Sequence, residues 1–210
     1  MNRRRLISGA LGAASLAHPT VAAAMQQCTP PTSAKPSVCW VGNHIDWTPF
    51  LQKAKSNDTR WCWAACISMA FARKGYAIGQ EQIVQETWSD IQRMPESTDK
   101  ILADLSKQWT DEKQRRFTVN SRVESGGLAT TPKTLLESAL DQDIPVLLGC
   151  FGHCTLLVEL LYNIDPKGAP QIQDATLIDP WPYTTYLQEL SLSELSLGSQ
   201  FVARIQIQAA

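Results

Sequence analysis

The pattern of apolar and polar residues predicts helices in the first half of the chain. Residues 61–72 are almost all apolar or small, which predicts a helix buried on all sides. Polar residues at 56–59 precede it as candidate caps, and Gly75 follows where a helix would end. Apolar residues at helical spacing predict three further helices, near 80–88, 98–109 and 131–140.

The second half has the pattern of β-strands separated by turn residues. Apolar or alternating runs predict strands at 117–123, 144–149, 155–162, 175–178 and 201–207. Helices followed by strands indicate an α+β fold, with the helices packed against one side of a mostly antiparallel sheet. A groove is then expected between the two parts. The length of 210 residues suits a single domain with a sizeable core.

The N-terminus has the features of a bacterial export signal. Residues 2–7 form an n-region that carries three arginines, a short apolar run follows, and residues 22–24 offer an A-x-A cleavage site. The three consecutive arginines also fit a twin-arginine signal. The alternatives are a cytosolic chain with a disordered basic start or an anchored chain. The apolar run is too short to span a bilayer, which favours a cleaved signal. We expect residues 1–24 to be an export signal, 25–44 an extended segment and 45–210 the folded domain of a periplasmic or secreted protein.

Charge and composition limit the classes of partner. Removing residues 1–24 would remove three of the 19 basic side chains and none of the 20 acidic ones, which leaves a net charge near −4. Because no basic patch is present, we do not expect nucleic acid as a partner. We expect no cofactor and no membrane span, and the sequence leaves the oligomeric state open.

Six cysteines in an exported chain predict at least one disulfide. Cys28 and Cys39 are the only cysteines in the extended segment, and a local loop between them is the simplest pairing. The remaining four, with one nearby histidine, have spacings that a zinc site permits: Cys62, Cys66, Cys150, Cys154 and His153. We do not expect a metal, because the helix is buried and the compartment favours disulfides. A disulfide between Cys150 and either Cys66 or Cys154 stays open.

The best candidate for reactive chemistry is Cys62, near the amino end of the buried helix. Backbone N–H groups and the helix dipole favour an anion there, which lowers a thiol pKa. The backbone N–H of Cys62 can also donate to an oxyanion. The alternative interpretation is that Cys62 is a small buried hydrophobic residue, as cysteines outside disulfides usually are.

A candidate base and a candidate acid lie in the strand-rich half. His153 begins one predicted strand, and Asp179 ends the next. A carboxylate that accepts from one imidazole nitrogen fixes the tautomer and favours the imidazolium partner of a thiolate. The alternatives are a core histidine with satisfied hydrogen bonds and a turn aspartate before Pro180.

Together these residues resemble the papain-like cysteine peptidases, in particular a bacterial branch with an aspartate as third residue. Three short motifs in order carry the resemblance: Cys62-Trp63-Ala64, Gly152-His153 and Asp179-Pro180-Trp181. The resemblance implies that Cys62 is the nucleophile, His153 the general base and then acid, and Asp179 the orienting group. It also implies binding roles beside the site for Trp63, Gly152 and Trp181, where the indole of Trp181 covers the His–Asp hydrogen bond. It spans roughly residues 45–185.

One position departs from the family pattern. The family places a glutamine about six residues before the nucleophile as an oxyanion donor, and position 56 here is serine. Gln52 lies in a context similar to the usual one with a few residues inserted, so it is the favoured donor. Asn57 is the competing donor.

The resemblance implies an exported cysteine peptidase that hydrolyses a peptide or protein substrate through a thioester acyl-enzyme. Two alternatives remain. The first is a non-catalytic exported binding module on the same fold. The second is a thiol acyltransferase, which passes the acyl group to an amine instead of water.

Overall fold

The computed structural model describes residues 27–32, 36–42, 50, 55–58, 60–88, 98–125, 127–128, 130–150, 153–165, 168, 170–183, 187–191 and 199–210. In these residues the helices are α1 (Cys62–Arg73), α2 (Gln80–Trp88), α3 (Thr98–Asp104) and α4 (Lys133–Asp141). The strands are β1 (Gln27–Cys28), β2 (Ser37–Gly42), β3 (Gln108–Thr110), β4 (Arg116–Ser125), β5 (Val146–Cys150), β6 (His153–Ile164), β7 (Pro170–Ile178), β8 (Leu187–Ser191) and β9 (Ser199–Ala209). Every strand pairing among them is antiparallel, so the predicted α+β class is confirmed.

Helix α1 is the buried helix that the sequence predicts. It begins at Cys62, and most of its side chains are buried. At its end, the N–H of Gly75 donates to the carbonyl of Ala72 and the N–H of Tyr76 to that of Phe71, which is the Schellman pattern. Gly75 has φ of 84°, a conformation that glycine adopts without steric strain. For residues 56–58 the predicted capping role is wrong, because the N-cap is Trp61 and has no side-chain capping hydrogen bond. Residue 59 lies outside the described residues.

Strand β6 is the centre of the sheet. One edge of β6 pairs along most of its length with β7. The other edge pairs first with β5, from His153 to Leu157, and then with β2, from Glu159 to Ile164. Because β5 also pairs with β9 and β9 with β4, one continuous sheet extends outwards from β6.

The sheet has a buried apolar cluster on each face. Leu147, Leu156 and Val158 belong to the cluster that contains α1, whereas their neighbours Leu148 and Leu157 belong to the other. This alternation follows from the two-residue repeat of a strand. Helix α4 contributes to the second cluster and contacts β2 and β5. The expectation that all helices pack on one side is therefore wrong, because the second apolar face is covered by α4.

Several local expectations have clear outcomes. The predicted Cys28–Cys39 disulfide is present and ties β1 to β2, within the segment expected to be extended. The spacing of Trp109 predicts that it continues a helix, and this prediction is wrong. Trp109 lies in β3, opposite Phe117 of β4. Among the described residues, no helix combines the length and apolar character that crossing a membrane requires.

Gly149 provides a test of the packing between β5 and β9. It lies opposite Phe201, and a Cβ at this position would come within 2.2 to 2.8 Å of three atoms of the Phe201 ring. We expect Gly149→Ala to lower the free energy of unfolding by about 1–3 kcal/mol, the usual effect of overpacking a core. Denaturant unfolding of the two chains measures this.

The matched control is the same substitution in a Phe201→Leu background. A smaller side chain leaves room for the new methyl group, so Gly149→Ala should be less destabilising there. An equal loss of stability in both backgrounds would show that the ring is not the cause.

Candidate active site

Helix α1 places the Cys62 sulfur where a thiolate is favoured. Cys62 is the first helical residue, so its backbone N–H is among those that a helix leaves without an intrahelical acceptor. The positive end of the helix dipole lies at the same place. The residue is 7% exposed, which shields the sulfur from bulk water while leaving a small accessible surface.

The pairing of β6 with β7 brings His153 and Asp179 together. Strand β6 begins at His153, and the antiparallel register sets Leu156 opposite Ile178, the last residue of β7. The next residue, Asp179, therefore lies at the same end of the β6–β7 pair as His153. The distance from His153 Nε2 to Asp179 Oδ1 is 2.7 Å. The backbone N–H of Trp181 donates to the same carboxylate oxygen at 2.8 Å.

Packing of α1 against β6 completes the arrangement by bringing Cys62 to His153. The Cys62 sulfur is hydrogen-bonded to the thiol and backbone N–H of Cys154 and to the side chain of His153. Because Nε2 of His153 is engaged by Asp179, Nδ1 is the nitrogen left for Cys62. The hydrogen bond from the Cys154 thiol and the hydrogen bond and charge of His153 outweigh burial and lower the pKa of the Cys62 thiol to about 5.

The pKa of His153 moves in the opposite direction. Burial alone would lower the pKa of the imidazole, but hydrogen bonds and charge from Asp179 and Cys62 outweigh it and raise the pKa to about 9. Between pH 5 and 9 the favoured pair is therefore a thiolate and an imidazolium. This is the activated form of a cysteine nucleophile.

The three residues expected to lie beside the site have different environments. The rings of Trp181 and His153 meet edge to face, with centroids 5.7 Å apart. Trp63 is 1% exposed and packs in the apolar cluster around α1, so it has almost no surface for a ligand. Gly152 lies outside the described residues.

Residues 55 and 56, for which the sequence predicts no role at the site, hold the loop that contains Asp179. The Lys55 ammonium donates to the carbonyl of Trp181 at 2.6 Å, and the Ser56 N–H donates to the carbonyl of Pro180 at 2.8 Å. Burial lowers the pKa of Lys55, and the charge of Asp179 opposes this effect. No local sequence signal could have identified these contacts, because they join segments about 125 residues apart in the chain.

Of the two predicted side-chain donors to an oxyanion, only Asn57 is among the described residues. Gln52 lies outside the described residues. The Asn57 side chain donates to Glu81 at 2.5 Å, and its backbone N–H donates to Gln80, so α2 holds this residue. The backbone N–H of Cys62, the other predicted donor, belongs to the first residue of α1 and has no intrahelical acceptor. No group of three or more histidine, cysteine or acidic side chains with the arrangement of a metal site occurs in the described part of the chain.

Comparisons with known proteins were made for both sequence and structure. No protein-family model matches the chain, and no curated protein matches its sequence. Among solved structures, the peptidase domain of Streptococcus ComA, a bi-functional ABC transporter involved in a quorum sensing pathway, is similar with a TM-score of 0.45 and 14% identity, over 75% of this chain and 97% of that chain. UfSP from C. elegans is similar with a TM-score of 0.47 and 15% identity, over 83% of this chain and 34% of that chain. Neither likeness assigns this chain to a family.

The lowered pKa of Cys62 predicts unusual reactivity towards a thiol reagent. We expect the rate of Cys62 alkylation by iodoacetamide to rise with a midpoint near pH 5, because only the thiolate reacts. Labelling reactions quenched at fixed times over a series of pH values, followed by peptide mapping, give the rate of Cys62 alkylation and its midpoint pH.

In the His153→Ala variant the midpoint should move upwards towards an ordinary thiol value, because the imidazolium that stabilises the thiolate is lost. A Cys62→Ala chain controls for labelling elsewhere. An unchanged midpoint in His153→Ala would show that the two side chains do not form the expected ion pair.

Proposed function

We propose that this chain is a papain-like cysteine peptidase, exported from a bacterial cell, that hydrolyses peptide bonds through a thioester intermediate. The observation that carries the proposal is the continuous series of contacts from Cys62 through His153 to Asp179. A buried carboxylate, an imidazole with a raised pKa and a thiol with a lowered pKa are the three parts that thiol acyl chemistry needs.

The reaction begins with attack of the Cys62 thiolate on the carbonyl carbon of the substrate. The backbone N–H of Cys62 donates to the oxyanion that forms. His153 then transfers its proton to the leaving amine, and the acyl group remains on sulfur as a thioester. In the second half, His153 removes a proton from water, the resulting hydroxide attacks the thioester, and the thiolate is regenerated.

Asp179 acts through His153. Its carboxylate accepts from Nε2, which leaves Nδ1 directed at the sulfur, and its charge stabilises the imidazolium. The Trp181 N–H holds the carboxylate, and the Trp181 ring lies against the imidazole. The indole excludes water from that side and so strengthens the His–Asp interaction.

Loss of the nucleophile provides the first test of activity. We expect Cys62→Ala to reduce kcat/KM on a mixed peptide substrate by about four orders of magnitude or more, as removal of a nucleophile does in comparable triads. Cys66→Ala, one turn along the same helix, is the matched control and should retain activity. Cleavage products are measured by mass spectrometry on the reduced protein.

The outcome also separates the alternatives. A chain that releases no acid product but transfers the acyl group to an added amine would be an acyltransferase. A biological effect that survives Cys62→Ala unchanged would favour a binding module and contradict the peptidase.

The pH dependence provides a second test. We expect a bell-shaped profile of kcat/KM that rises near pH 5 as Cys62 becomes the thiolate and falls near pH 9 as His153 loses its proton. Asp179→Asn removes the charge that raises the pKa of His153, so the alkaline limb should move to lower pH. The maximum should fall by about 10²- to 10⁴-fold.

Asp174→Asn, on β7 but away from His153, is the matched control and should leave both limbs in place. An alkaline limb that does not move in Asp179→Asn would show that Asp179 does not tune His153.

A further inference from the structure

Three thiols meet at the amino end of α1. Cys62, Cys66 and Cys154 are all buried, all outside disulfides, and all members of one apolar cluster. Cys154 directly follows His153 in β6, so the strand that presents the base to the nucleophile also presents a second sulfur. In the peptidase mechanism proposed above, the Cys154 thiol only donates a hydrogen bond to the Cys62 sulfur and takes part in no bond-making step.

The contacts among these thiols are specific. The thiol and the backbone N–H of Cys154 both hydrogen-bond to the Cys62 sulfur. The Cys66 thiol donates to the carbonyl oxygen of Cys154 at 3.3 Å. Cys66 therefore donates to the backbone of Cys154, whereas Cys62 contacts both the backbone N–H and the thiol of Cys154.

We infer that Cys154 is a resolving thiol for Cys62, which forms a reversible Cys62–Cys154 disulfide when a hydroperoxide oxidises the nucleophile. The inference goes beyond peptide hydrolysis. It requires a reactive Cys62 thiolate and an adjacent Cys154 thiol, and it holds whether or not a peptide is the substrate.

The chemistry balances in two steps. The Cys62 thiolate attacks one oxygen of hydrogen peroxide, so an S–O bond forms and the O–O bond breaks. The departing hydroxide takes the proton of the His153 imidazolium and leaves as water. The Cys154 sulfur then attacks the Cys62 sulfenic acid, the S–S bond forms, and the hydroxyl group leaves with the Cys154 proton as a second water. Sulfur is oxidised, and the peroxide supplies both oxidising equivalents.

Geometry favours Cys154 over Cys66 as the resolving residue. Cys62 and Cys66 are four residues apart on one helix, where Cβ atoms lie about 5–6 Å apart. A disulfide needs a Cβ separation near 3.8 Å, so this pair would have to distort α1. Cys154 lies on a different element and its side chain already contacts the Cys62 sulfur.

The disulfide would switch off the nucleophile without destroying it. Sulfinic and sulfonic acids are not reduced by thiols, whereas a disulfide is. A thiolate that is present at neutral pH is also the form most readily oxidised, so the residue that reacts best with a carbonyl needs this protection most.

The test exposes the reduced full-length chain to hydrogen peroxide, blocks remaining thiols, and maps the cysteines by peptide mass spectrometry. We expect a Cys62–Cys154 cross-linked peptide, loss of Cys62 alkylation, and recovery of that alkylation after treatment with a dithiol. These readouts report on the thiols alone, so failure of the peptidase assay would leave this result intact.

Two variants complete the test. In Cys154→Ser, the same peroxide dose should convert Cys62 to sulfinic or sulfonic acid, with loss of dithiol recovery, whereas Cys66→Ala should still form the disulfide. A Cys62–Cys66 cross-link, or equal irreversible oxidation with and without Cys154, would overturn the inference. If Cys154→Ser does not fold, mapping of the unmodified chain decides the question, because absence of the Cys62–Cys154 peptide also overturns it.

Discussion

The antiparallel pairing of β6 with β7 is the constraint on which the site depends. This pairing places His153, the first residue of β6, at the same end of the sheet as Asp179, which follows β7. His153 and Asp179 are 26 positions apart in sequence, yet the register leaves them a single hydrogen bond apart. Because a slip of one residue would turn side chains to the opposite face, the buried clusters on both faces also fix this contact.

The electrostatics of the site follow from burying opposite charges together. A thiolate or imidazolium without a partner would have a high free energy at this buried position, because burial disfavours the charged form of each. The pair becomes favourable when each ion has partners, and here Cys62 has His153 and Cys154, while His153 also has Asp179. Asp179 is itself satisfied by His153 and the Trp181 N–H, so the arrangement ends on a neutral backbone group.

Sequence patterns predicted the elements that bury one continuous apolar face. The helices α1 and α2 and the strands β5, β6, β7 and β9 have continuous or periodic apolar patterns, and each is found close to its predicted position. The pattern predicted no strand at β2 or β8. Strand β2 lies in a segment rich in proline, serine and threonine, where it pairs with β1 and β6, and β8 pairs with β7. The pattern also failed for Trp109, whose helical spacing is overridden by pairing with β4.

The site was predictable only where its chemistry lies in short motifs. The helix-terminal position of Cys62 and the strand-edge positions of His153 and Asp179 follow from local pattern. The contact between Cys62 and Cys154 does not, because it depends on how α1 crosses β6. The same is true of Lys55, which reaches the carbonyl of Trp181 across most of the chain.

Residues 55–57, which precede α1, connect the loop that contains Asp179 with the helices. Ser56 and Lys55 hydrogen-bond to the loop after β7, and a few residues later the same segment begins the helix that carries Cys62. The Asn57 backbone N–H and the Gln80 side chain fasten it to α2. These bonds therefore attach the loop that contains Asp179 to the segment that leads into α1. Short, fixed distances between thiol, imidazole and carboxylate are what proton transfer requires, and this segment maintains them without touching the reacting atoms.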